Sequence, residues 1–239
     1  NSSWSGGGLK SIHSAVELNN VVISNNSSGD AGAGIHSSYS DITINDSEIT
    51  NNVSGSEGGA ISAGASSAST HSLIINNTTI DGNSSGYQGG GIWVLYAGDI
   101  QINDSYITNN SVTPESEGGN VSSAGGGLCA KIGANPVITN STISNNSADD
   151  GAGIALIENA NCTLDNVIIS SNTTTDNFGG GMYLDGSSAS INNSILVDNH
   201  SVNGGAIFIT GVSSVFLESS LINNNTALVG GGIYQNSGN

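Results

Sequence analysis

The chain has 239 residues, of which 35 Gly, 41 Ser, 15 Thr and 33 Asn make up just over half. Its 19 Asp plus Glu face only Lys10 and Lys131, with no Arg, for a formal net charge of −17. That balance excludes nucleic acid and anionic membrane as direct partners. Apolar runs of about six residues, such as Ile92 to Ala97, are too short for a membrane span, and helix formers are too scarce for a helical protein.

Disorder is excluded as well, because 36% of the residues are hydrophobic and many are Ile or Val. The chain begins without Met or a signal-like segment, which reads as a mature chain or a fragment.

Followed from the N-terminus, the sequence repeats. Gly-Gly-Gly-Leu ends at Leu9, and related segments end at Ile35, Ile61, Ile92, Leu128, Ile154, Met182, Ile207 and Ile233. Their spacings are 26, 26, 31, 36, 26, 28, 25 and 26 residues. A second motif runs in step: Ile23-x-x-Asn26, Ile49-x-x-Asn52, Ile80-x-x-Asn83, Ile107-x-x-Asn110, Ile143-x-x-Asn146, Ile169-x-x-Asn172, Leu196-x-x-Asn199 and Ile222-x-x-Asn225. Between the two motifs apolar residues alternate, as at Ile42 and Ile44, which signals strands. Three short strands per roughly 26 residues, separated by Gly and Asn turns, describe one coil of a parallel β-helix. Gly fits where the backbone needs positive φ, and Asn tolerates the left-handed region. The expected fold is all-β: a single-stranded parallel β-helix of about eight coils, one domain over residues 1–239. At about 4.8 Å per coil the rod is about 40 Å long.

The paired motifs, for example Ile143-Ser-Asn-Asn146 with Gly151-Ala-Gly-Ile154 and Leu196-Val-Asp-Asn199 with Gly204-Gly-Ala-Ile207, resemble the repeat of the chlamydial polymorphic outer-membrane proteins. Here Ile or Leu stands where that repeat usually has Phe. The resemblance implies a right-handed β-helix passenger, exported to a cell surface and often adhesive.

Two coils are longer than the rest. Their extra residues fall around Ser62 to Ser72 and around Ser111 to Ala124, the second with Pro114, Glu115 and Glu117. Insertions in solenoids project from one face and serve as contact loops. Neither end carries an evident polar cap. An open β-helix end exposes unpaired backbone and core, so the expected partner is another coil, supplied by a copy of the chain stacked head to tail or by neighbouring repeats of a longer chain.

Eighteen Asn-x-Ser/Thr sequons run along the chain. A glycan needs a surface site. One class, Asn45, Asn76, Asn103, Asn140 and Asn192, follows an inward apolar residue and should face outward. Asn120 and Asn161 lie in other turns. A second class lies on or beside the Ile-x-x-Asn position: Asn26, Asn52, Asn83, Asn172, Asn199 and Asn224. Two arrangements stay open for it, glycan carriers or an inward ladder, and a ladder Asn cannot carry a sugar.

The residue after each Gly anchor should point away from the core. Tyr183, Phe208 and Tyr234 fall there on consecutive coils, with Trp93 extending the theme, so an exposed aromatic ridge is expected. It would serve as an interface or sugar-stacking surface, or as a stack that stabilises the coils. Cys129 falls on the same outward row and Cys162 on an inward one, which argues against a bond between them.

Catalysis is not expected. β-Helix lyases rely on Arg or Lys, and Arg is absent. Asp149-Asp150 resembles the carboxylate pair of β-helix glycosidases, but it sits in a variable turn without a partner. The four His share no metal-ligand spacing, and no cofactor is expected. The functional expectation is an extracellular, N-glycosylated structural building block of a surface fibre or coat. An adhesin-like passenger is the alternative, and a polysaccharide-active enzyme a second one.

Overall fold

The computed structural model describes residues 1–65, 71–96, 98–113 and 123–236, apart from the side chain of residue 176. The described chain winds through four parallel sheets. Sheet 1 holds nine strands, from Leu9–Ile12 to Ile233–Asn236, and each begins at a Gly anchor. Sheet 2 holds eight strands, from Ala15–Asn19 to Ser214–Glu218. Sheet 3 holds eight three-residue strands, from Val22–Ser24 to Leu221–Asn223. Sheet 4 holds seven short strands, from Ser2–Ser3 to Thr173–Phe178. Each coil therefore has four strand segments rather than three. The fourth is mostly two residues long, too short to leave an alternating apolar signature.

The coils stack in register. Ile35 pairs with Ile61, Ile61 with Ile92, and Ile92 with Leu128. Inward rows of Ile and Leu run the length of the rod, including Ile42, Ile44, Ile49, Leu73, Ile75 and Ile80, all fully buried. Like side chains stacked on like, one coil apart, give a continuous core that disulfides do not reinforce: Cys129 and Cys162 are both free.

The corners explain the composition. Asn20, Asp46, Asn77, Asp104, Asn140, Asn166, Asn193 and Ser219 all have positive φ at the turn after sheet 2. Asn25, Asn51, Asn109, Asn145 and Asn224 do the same after sheet 3. Asn and Asp accept this conformation at little cost because their short side chains bond locally. Ahead of sheet 1 the turn is tighter. Gly32 has φ +63°, and an added Cβ would lie 2.4 Å from the Ile35 carbonyl oxygen, so only Gly fits.

The insertions are shorter than their spacing suggested. Ser62, Ala63 and Gly64 belong to the strand Ile61–Gly64, and Ser72 opens the strand Ser72–Asn76. Ser111–Val112 is also a strand, and Ala124 bridges Gln88 and Asp150. What lies between, residues 66–70 and 114–122, is outside the described residues, and Pro114, Glu115, Glu117 and Asn120 go with it.

Candidate functional site

The second motif builds an internal ladder. The side chain of Asn83 shows its wiring. Its Oδ1 accepts from the backbone N–H of Asn52 at 2.9 Å and from Asn52 Nδ2 at 2.9 Å. Its Nδ2 donates to the Ile49 carbonyl at 2.9 Å and to Asn110 Oδ1 at 3.0 Å. The same pattern joins Asn26, Asn52, Asn83, Asn110, Asn146, Asn172, Asn199 and Asn225. Each side chain satisfies backbone groups that the turn would otherwise bury unpaired. This corrects the glycan assignment. Asn52, Asn83, Asn172 and Asn199 are 0% exposed and Asn26 is 7% exposed, so a sugar cannot be accommodated on them in the folded rod.

A second ladder, not anticipated from the sequence, runs parallel to it. Ser47, Thr78, Ser105, Ser141 and Ser194 are buried at the corner after sheet 2. The Ser47 N–H donates to Thr78 Oγ1, the Thr78 N–H to Ser105 Oγ, and the Ser105 N–H to Ser141 Oγ. The signal was present as Ser or Thr two residues after the sheet-2 strand ends Asn45, Asn76, Asn103, Thr139 and Asn192, though not after Asn19 or Asp165, where Val21 and Val167 stand. Ser and Thr are so common here that it did not stand out.

The outward-facing sequons divide by exposure. Asn140, Asn161 and Asn224 are exposed. Asn45, Asn76 and Asn103 are half-buried in a surface row, where Asn45 Nδ2 donates to Asn19 Oδ1, Asn76 Nδ2 to Asn45 Oδ1 and Asn103 Nδ2 to Asn76 Oδ1. Asn192 is half-buried, with its Nδ2 3.3 Å from Ser190 Oγ.

The aromatic row is not an exposed ridge. Phe208 is 2% exposed. Its ring centroid lies 4.4 Å from that of Phe178, 5.8 Å from Tyr183 and 5.4 Å from Tyr234. Tyr183 and Tyr234 are half-buried. Trp93 is separated from this stack, because the outward row reads Trp93, Cys129, Ala155, Tyr183 across successive coils. The cause is the turn before each Gly anchor, which lays a further row against the outer face of sheet 1: Gln88, Ala124, Asp150, Phe178, Asn203 and Val229 are bridged coil to coil. Ala124, Cys129 and Ala155 form a small second core there, with Trp93, Ile157 and Tyr183 packed against it. Cys129 thus points away from the main core yet is 0% exposed. Burial pushes both thiols up to about 12, so neither is a ready nucleophile.

Asp150 belongs to the same covering row and is 4% exposed. Burial is the main reason its carboxyl is pushed up to about 7; the neighbouring Asp149 raises it further, and the Phe178 N–H at 3.2 Å works the other way. Asp149 is bonded to Thr175 Oγ1 at 3.3 Å. Among the described residues, no three His, Cys, Asp or Glu gather in a group able to hold a metal ion. No helix of the described residues is long and apolar enough to cross a membrane.

A recess on sheet 1 lies elsewhere. It is lined by His36, Ser37, Ser38, Ser62, Gly64, Ala65, Trp93 and Leu95. Three adjacent strands contribute, with Ser62 in register between His36 and Trp93, and Gly64 between Ser38 and Leu95.

Comparison with known families agrees with this architecture. The right-handed beta helix region family matches residues 88–239, more than half of the chain. The Chlamydia polymorphic membrane protein repeat matches residues 46–64 and 77–94. Neither a curated protein nor a solved structure matches the chain. The parallel coils and the extent of the first match lead to one assignment: the chain belongs to the right-handed β-helix family.

Proposed function

We propose that this protein is a non-catalytic, rigid structural rod of a cell surface, extended coil on coil into a fibre or coat. The observation that carries this reading is the uniformity of the stack. The inward rows, the Asn ladder and sheets 1 to 3 run from the first coil to the last, while sheet 4 ends at Thr173–Phe178 and continues only as isolated bridges through His200 and Asn203. At the two extremes the rows are partly open: Leu9, Val16, Leu18 and Ile23 at one end, Val215 and Ile222 at the other, pack against the core without being fully buried. Each extreme has the apolar profile of an internal coil, which a further coil continues in the same register, whether from a copy of this chain or from neighbouring repeats of a longer one. The similarity to the polymorphic membrane protein repeat supports a surface setting. Glycans on the exposed sequons Asn140, Asn161 and Asn224 would fit that setting and leave both ladders intact.

Negative-stain imaging of the 239-residue protein over a range of concentrations tests the reading. Filaments with an axial period of about 40 Å are expected, from about eight coils at about 4.8 Å. Monodisperse short rods at every concentration would overturn head-to-tail assembly of this chain.

A further inference from the structure

We propose that the turn over sheet 1 at Asp150 is a latch: its protonated carboxyl lets the turn lie shut on the coils beneath, and ionisation releases it.

The latch sits where the cover of sheet 1 is weakest. Ala124, Asp150 and Phe178 are bridged in turn along the rod, and Ala124 packs with Cys129 and Ala155 below it. A Cβ added at Gly151 would lie 2.9 Å from Tyr183 Cβ, so the turn rests directly on that residue. Beside the turn the pairing of sheet 4 slips. Ala148 faces Thr174 and Asp150 faces Phe178, which leaves Asp149 opposite residues 175–177. Such a bulge interrupts the ladder. Its effect shows at Thr174. At the same position in other coils the hydroxyl donates to a carbonyl of the turn: Ser54 to Glu57 at 3.2 Å, Ser85 to Gln88 at 3.1 Å and Ser201 to Asn203 at 2.8 Å. Thr174 Oγ1 is buried without a partner.

The bonds across the turn run from the Gly125 N–H to the Asp150 carbonyl at 2.9 Å and from the Gly151 N–H to the Phe178 carbonyl at 2.9 Å. The Asp150 side chain accepts from the Phe178 N–H at 3.2 Å. This carboxyl is 4% exposed and has no cation to answer it. Arg is absent, Lys10 Nζ bonds Ser5 Oγ at 2.7 Å, and Lys131 Nζ lies 3.7 Å from Glu158. Among the described residues, Asp149 adjoins it on its own turn, and sheet 1 contributes Tyr183 and Cys129, with Asp185 acting on Tyr183 as well. His200, bridged to Thr173, is exposed, and its Nδ1 meets Thr226 Oγ1 at 2.8 Å. Glu115, Glu117 and the Asp176 side chain lie outside the described residues and bring no positive charge.

A buried carboxylate with one backbone donor and no counter-ion is costly, whereas a neutral carboxyl tolerates the site. The direction of its pKa agrees: burial, opposed by the Phe178 N–H and aided by Asp149, pushes it up to about 7. Opening the turn returns the carboxyl to water, where its value is about 4. Between those values the closed form holds a proton that the open form releases. Opening therefore gains about tenfold per pH unit from about pH 4 to about 7 and levels off above, where both forms are ionised. The inward rows, with Ile154 and Met182, belong to a separate core and stay closed while the cover lifts from Cys129 and Ala155. The latch lies on the side of the rod, so coil-on-coil extension does not depend on it.

Hydrogen exchange at the Gly125 and Gly151 amides, corrected for the intrinsic rate, reads the opening. Their protection is expected to fall about tenfold per unit from about pH 4 to about 7 and then to level off. Asp150→Asn, neutral at every pH, should remove the slope, and Asp149→Asn should keep it. Thiol labelling tests whether the opening is local. Cys129 lies under the cover and Cys162 in the main core, so at pH 7 a maleimide should label Cys129 about tenfold faster than Cys162 or more. Circular dichroism checks that each variant keeps its coils. The proposal is overturned by protection that is flat with pH, or by a slope that persists in Asp150→Asn or disappears in Asp149→Asn. Equal labelling of the two thiols also overturns it, because the cover would then open only when the whole rod unfolds.

Discussion

Replacing Asn110 by Ala tests the ladder at its centre. The Asn110 side chain accepts from the Asn83 backbone N–H and from Asn83 Nδ2, both at 3.0 Å, and donates to the Ile80 carbonyl at 3.0 Å and to Asn146 Oδ1 at 3.1 Å. Asn110 is 0% exposed, so water cannot replace these partners. Asn83 Nδ2 keeps its bond to the Ile49 carbonyl, and Asn146 Oδ1 keeps the Asn110 N–H. The Asn83 N–H and the Ile80 carbonyl each lose their link to this side chain. Four bonds at about 1 kcal/mol each, with an added penalty of about 1–3 kcal/mol for a buried donor left unpaired, give a loss of about 5–7 kcal/mol. The matched control is the preceding residue. Asn109 is exposed, has φ 55° and bonds Asp81 Oδ1 at 2.6 Å. Gly accepts that conformation, so Asn109→Gly should stay within about 1 kcal/mol of the parent. Urea unfolding measures both variants, and hydrogen exchange at the Asn83 amide reports the local opening. If Asn110→Ala unfolds within about 1 kcal/mol of the parent, or if the Asn83 amide keeps its protection, the ladder is not the structural element described above.

Other expectations follow from the outer face and the surface. The pKa of Asp150 is raised to about 7 in the folded rod. Its contribution to stability is therefore fully present below the unfolded value near 4 and is lost as pH rises through about 7, a change of up to about 4 kcal/mol. Thermal unfolding between pH 4 and 8 should show this loss, and Asp150→Asn should flatten the profile; an unchanged profile would disprove the assignment. Phe208→Ser removes a ring packed against Phe178, Tyr183 and Tyr234. It should lower stability by about 3–5 kcal/mol, and a variant that melts like the parent would restore the exposed-ridge reading. In a glycosylating host, peptide mass analysis should find sugar on Asn140, Asn161 or Asn224 and none on Asn52, Asn83, Asn172 or Asn199; modification of the second group in folded protein would contradict the buried ladder.

Much of the architecture was legible in the sequence because a solenoid repeats its constraints. The phase between Leu9, Ile35 and Ile61 and the phase between Asn26, Asn52 and Asn83 are local patterns that need no tertiary information to detect. They were enough to place the inward rows, the turns and the parallel coils, while the right hand of the helix comes from the family to which the chain belongs. They also placed Cys162 in an inward row, where the structure shows it 3% exposed.

The sequence by itself therefore determined the fold, the register and which side of each strand faces the core, since alternation along one strand fixes those directions. Only the tertiary structure decided what lies over the other side. Phe208 and Cys129 point away from the core as their phase requires, yet the turn ahead of each Gly anchor lays Ala124, Asp150 and Phe178 over them. Likewise, Asn52 carries a sequon and lies in a turn, and only the stacked neighbour at Asn83 shows that its amide is spent on the ladder. Alternation reports direction within one coil. Coverage depends on atoms supplied by another segment or another coil, and no pattern within a single strand records them.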